Sequence, residues 1–103
     1  MSLSLEKFEE QINEMIDLRI TNIGRSIRMI IPEYNQIIFK NPPLQNAHEG
    51  WAMLEQGMDK LWNEVKKDKQ LRSEEAMRKE AILISVTAMR FIIDLCMDEN
   101  QKS

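Results

Sequence analysis

An all-α fold, an antiparallel helical bundle of three main helices whose core is completed by oligomerisation, is what this sequence predicts, and three observations carry the prediction. Only three glycines and three prolines punctuate 103 residues, whereas small all-β proteins need a turn about every ~8–12 residues. Leu, Ile, Met, Glu, Lys, Arg and Gln dominate, and all but Ile have an unbranched Cβ that loses little rotamer freedom in a helix. Apolar residues recur at spacings of three and four along each long segment, the period of one helical face.

The first helix is read over Ser4–Ile31, where Phe8, Ile12, Ile16, Ile20, Ile23, Ile27 and Ile30 form one stripe. Pro32 is expected to end or kink it, because proline lacks an N–H and disfavours the α conformation in the residue before it. Glu33–Phe39 reads as a further short helix. Asn41-Pro42-Pro43 then forbids regular helix and opens a polar connection to Asn46.

Asn46, with Glu49 three residues later, fits an N-capping arrangement in which both side chains satisfy orphan backbone N–H groups, so a second helix starts there. Trp51, Leu54, Met58, Leu61 and Val65 make its apolar stripe. Trp51 and Trp62 lie on or beside that stripe and are expected in the core. The pattern fades in Lys66-Lys67-Asp68-Lys69-Gln70, and Ser73 followed by Glu74 and Glu75 reads as the N-cap of a third helix, with acids against the positive end of its dipole.

The third helix carries two stripes, Met77, Ala81, Ile84, Ala88, Phe91 and Leu95 on one side and Ile82, Val86, Met89, Ile93 and Cys96 on another. Both need covering. With only two other long helices in the chain, the economical cover for the second stripe is another subunit, in a homodimer or homotetramer.

Hydrophobic residues at 43% and charged residues at 30% are those of a globular chain, and this length fits one domain. A single cysteine forms no internal disulfide, and no cysteine–histidine cluster has zinc-site spacing, which points to the reducing cytoplasm. Cys96 reads as a buried small hydrophobe. No signal-peptide pattern or run of ~18 apolar residues is present. The formal charge of −3 argues against a dedicated nucleic-acid or anionic-membrane binder.

One constellation points to chemistry. Asn46-Ala47-His48-Glu49-Gly50-Trp51-Ala52, continuing to Leu61-Trp62-Asn63-Glu64-Val65-Lys66, resembles the MazG-like all-α nucleoside triphosphate pyrophosphohydrolases, whose short members read roughly H-E-x-Y/W-A-x-x-x-E-E-x-D-E-L-W-x-E-V-K. The third helix also fits, with Arg78-Lys79-Glu80, Ala88, Arg90-Phe91 and Asp94-Leu95, so the resemblance covers residues 46–96 in order and without gaps. It implies an all-α fold in which two helices present E-E-x-x-E and E-x-x-D. Carboxylates so spaced share a helical face, hold Mg²⁺ against a triphosphate, and help water release pyrophosphate from a nucleoside monophosphate.

Carried over position by position, the ungapped alignment sets Gln56, Gly57 and Lys60 at the acidic positions of one helix, and Glu80 with Leu83 on the other. A one-residue shift instead recovers Glu55 and Asp59, on the opposite flank. The candidate metal ligands are therefore Glu80, Glu55 and Asp59. Lys60, standing where the cation would be, is expected either to pair with Glu80 or to contact a phosphate. His48 and Trp51 complete the candidate nucleotide site, His48 near the helix cap and Trp51 as a surface on which a base stacks. The alternative is a non-enzymatic helical scaffold or regulatory protein that acts by protein–protein binding.

Overall fold

The computed structural model describes residues 2–97, and helix is the only regular structure among them. The chain forms α1 (Ser2–Lys40), α2 (Ala47–Val65) and α3 (Glu74–Phe91), followed by a π-helical turn over Ile92–Cys96. No helix among the described residues is long and apolar enough to cross a membrane.

The expected caps set the starts of α2 and α3. Asn46 is extended, and its Oδ1 accepts the Glu49 N–H at 2.9 Å; Ser73 Oγ accepts the Ala76 N–H at 3.1 Å. Each cap satisfies a donor that the helix cannot, at a value of ~1 kcal/mol. The reciprocal half of the first is displaced by one residue: Glu49 Oε2 accepts the N–H of Gln45 at 3.0 Å, which ties the preceding loop to the helix.

Pro32 does not divide the first helix, which corrects the expected break and separate short helix; α1 runs through it to Lys40. Proline removes one donor, the N–H that would reach the Arg28 carbonyl. Arg28 and Pro32 are both exposed, so water can serve that carbonyl. The stop comes at Asn41, whose backbone N–H and side-chain Nδ2 both donate to the Ile37 carbonyl, at 2.9 and 2.8 Å, before Pro42-Pro43.

The antiparallel hairpin of α2 and α3 is built around two glycines. A Cβ on Gly50 would lie 2.5 Å from Phe91 Cδ2, and one on Gly57 would lie 3.0 Å from Ile84 Cγ1. Their missing side chains let the helices approach closely. The face of α2 turned to α3 is therefore Gly50, Met53, Leu54, Gly57, Leu61 and Glu64, none of them exposed. It is rotated by about 70° at ~100° per residue from the predicted stripe. That corrects the expected burial of the tryptophans: Trp51, Met58 and Trp62 are all more than half exposed.

The end of α3 clasps the loop between α1 and α2. Arg90, 3% exposed, donates from Nη2 to the Pro42 carbonyl at 2.9 Å, and its Nη1 lies 3.9 Å from Met53 Sδ. One turn on, Asp94 Oδ2 accepts the Leu44 N–H at 2.9 Å. Leu44 is buried beside Gly50, and with Val86 and Arg90 it makes the most enclosed part of the fold. The wider winding after Phe91 also takes Cys96 off the apolar stripe; it is exposed, against the expectation of burial.

Only the C-terminal part of α1 lies along α3, with Met29 and Ile30 near Ile82, and Tyr34 and Ile38 near Arg90. Every residue from 4 to 23 is exposed. The radius of gyration is 19.1 Å, against about 13 Å for a compact domain of this length. A single chain thus folds the hairpin and leaves the rest of the first helix projecting.

Candidate functional site

Three places in the fold bear on function, and the predicted site residues fall in the first two. The first is the contact between the middle of α2 and the start of α3, where Gly57 meets Ile84. Ile84 neighbours Leu83 and lies one turn beyond Glu80, while Gln56 and Lys60, the other positions that the ungapped resemblance assigns on α2, are exposed. Glu55 and Asp59, two residues to either side of Gly57, lie about 160° round α2 at ~100° per residue, and both are exposed.

What fills that place is packing. Gly57 brings no ligand, Leu83 is aliphatic, and Lys60 is exposed on the side of α2. Lys60 forms no ion pair with Glu80, as one expectation had it; among the described residues the salt bridge is Lys67 with Glu64, at 2.8 Å. An ammonium on an exposed flank keeps its hydration and gains little by reaching into a helix contact. Glu80 is the one acid left, and its Oε2 is buried with no hydrogen-bond partner.

Mg²⁺ demands near-octahedral oxygen coordination, with one or more carboxylates. Glycine, lysine, leucine and one glutamate do not supply that set. Among the described residues no three His, Cys, Asp or Glu side chains converge as a metal site needs, so Glu80, Glu55 and Asp59 are not brought together. The residues of one chain do not fit the ion.

The second place is a shallow groove of about 400 Å³ between the first turns of α2 and the end of α3, lined by Ala47, His48, Trp51, Leu54 and Phe91. Here two predicted residues do meet, because His48 and Trp51 are three apart and share a helical face. The groove offers flat aromatic walls and no cluster of cations. Lys60, nine residues beyond Trp51, points to the opposite side of α2, so base stacking and phosphate contact are not combined in one pocket.

The third place is the Arg90–Asp94 clasp, which sequence reasoning missed as a structural unit. Its signal was present: a charged residue inside the apolar run Ala88-Met89-Arg90-Phe91, four residues before an acid. A buried guanidinium needs oxygen acceptors. The Pro42 carbonyl is one, and it is well suited, because the Pro42-Pro43 pair interrupts the backbone pairing that would otherwise occupy it. Arg90 Nε remains buried without a partner.

With this geometry in place, comparison with known proteins adds nothing further: no family model, no curated protein and no solved structure matches the chain.

Proposed function

We propose that this protein is a helical scaffold or regulatory protein that acts by protein–protein binding, and that its residues 46–96, which resemble the MazG-like pyrophosphohydrolases in sequence, carry helix packing where the resemblance would set metal ligands. The observation that carries the proposal is α1: a long helix whose apolar face, from Phe8 to Ile27, is bare along most of its length. Water contact on so many large apolar side chains is costly, and an exposed stripe of this size marks an interaction surface. Self-association as a homodimer or homotetramer, in the cytoplasm, belongs to this reading. Purified protein offered a panel of NTPs and dNTPs with Mg²⁺ or Mn²⁺ should release no pyrophosphate. Turnover that disappears in Glu80→Ala would sink the proposal.

One observation favours a second reading, in which the chain binds or hydrolyses (d)NTPs as a pyrophosphohydrolase homologue. The buried, partnerless Oε2 belongs to Glu80, the acid that the ungapped resemblance retains, and an uncompensated buried carboxylate oxygen is costly unless something meets it. Under this reading nucleotide raises the melting temperature by mass action, with Mg²⁺ if ligands are recruited from elsewhere and without it if Lys60 contacts the phosphate. Under the scaffold reading neither addition shifts it.

A further inference from the structure

The association proposed above leaves the partner open, and α1 itself supplies what identifies it; the following rests on that reading. The stripe of Phe8, Ile12, Ile16, Ile20, Ile23 and Ile27 is 39% to 62% exposed. Phe8 to Ile30 spans two 11-residue periods, so the stripe stays nearly parallel to the helix axis over ~33 Å.

The polar residues beside the stripe divide by sign. Residues 4–17 carry Glu6, Glu9, Glu10, Glu14 and Asp17 against Lys7, whereas residues 18–31 carry Arg19, Arg25 and Arg28 and no acid. A second copy laid antiparallel sets each acidic half against the other's basic half. A parallel copy sets like against like, and an unrelated partner would need to reproduce the same reversal. The surface is complementary to itself under a two-fold axis, as an isologous interface requires.

The exposed area agrees. The chain exposes 8704 Å², against about 6,100 Å² for a compact fold of its mass. The excess is well above the ~800 Å² per partner of a standard interface.

We propose that residues 4–31 of α1 pair antiparallel with the same segment of a second copy, about a two-fold axis near Asp17–Leu18, to form a homodimer with the two α2–α3 hairpins at opposite ends. In this arrangement Ile12 of one copy lies beside Ile23 of the other, and Phe8 beside Ile27.

The test uses the full chain with its native thiol removed as Cys96→Ser. Ile12→Cys and Ile23→Cys are made on separately tagged copies, mixed, and treated with a short bis-maleimide. Antiparallel pairing predicts that the mixed product exceeds either self-linked product several-fold. A second pair, Glu9→Cys with Ser26→Cys, leaves the apolar stripe intact and guards against a variant that has lost it. Self-linked products dominating in both pairs would mean parallel pairing and overturn this inference while leaving the association reading in place. A single-chain mass in sedimentation, with no cross-linking in either pair, would overturn it as well. Nucleotide turnover tests the scaffold reading in a separate assay, so the two can fail independently.

Discussion

Residues 4–25 of α1 and the whole of α2 carry the same kind of sequence signal, apolar residues at three and four, and meet opposite fates. Of the stripe of α2, Leu54 and Leu61 share the face turned toward α3 with two glycines while Trp51 and Met58 stay exposed, whereas the stripe of α1 from Phe8 to Ile27 faces solvent throughout. Periodicity says that a face wants covering; it does not say by what. In the hairpin the cover is set by close backbone approach, by caps at both helix starts and by the Arg90–Asp94 clasp on the connecting loop. Residues 4–23 of α1 are exposed throughout, and under the reading proposed above a second copy covers their apolar face.

Substitutions sharpen this contrast. The largest effect is expected at Arg90, where Arg90→Ala removes a buried side chain and leaves the Pro42 carbonyl without its donor. That should cost about 3 kcal/mol in urea denaturation followed by circular dichroism. A loss under ~1 kcal/mol would mean that relief of the buried charge offsets the bond, and that the clasp does not hold the loop.

Gly50→Ala comes next. A Cβ 2.5 Å from the Phe91 ring forces the helices apart, at a cost of about 2 kcal/mol even after the gain in helix propensity. The same substitution at Gly24 has the opposite sign. Nothing lies within 4 Å of a Cβ there, so Gly24→Ala should raise stability by about 1 kcal/mol through propensity alone. If the two alanines shift the denaturation midpoint in the same direction, the distinction between a packed and a projecting helix fails.

Much of this was legible in the sequence. The helix count, the Asn46 and Ser73 caps and the Pro42-Pro43 stop follow from local chemistry, which acts within a few residues. Three features were not legible, each because a distant part of the chain decides it. Pro32 reads as a breaker locally, yet the helix tolerates it where the freed carbonyl can reach water. The tryptophans read as core by hydropathy, yet the buried face turns toward glycines, whose contribution is the side chain they lack. Cys96 reads as buried by extrapolating the α period of α3, and the winding changes to π before reaching it.

The candidate site was legible in part. His48 and Trp51 share a groove, and the third wall, Phe91, needed the fold to supply it. Gly57 reads as a missing ligand in the sequence and acts as a packing position in the structure, which explains why the set of Glu55, Asp59 and Glu80 does not assemble. The buried oxygen of Glu80 is a smaller test of the same point: Glu80→Gln removes the charge at an unpartnered site, and should leave stability unchanged or raise it by up to about 1 kcal/mol. A loss of that size would show that the carboxylate is held by a partner after all.

Sedimentation equilibrium of the full chain beside an Ile16→Glu/Ile23→Glu variant asks whether α1 works in an associated form. Association through α1 gives a multiple of the 12.2 kDa chain mass for the native protein, and a single-chain mass for the variant with its helical circular dichroism largely kept. A native protein that sediments as a single chain at every concentration, or a variant that associates as well as the native protein does, would contradict it.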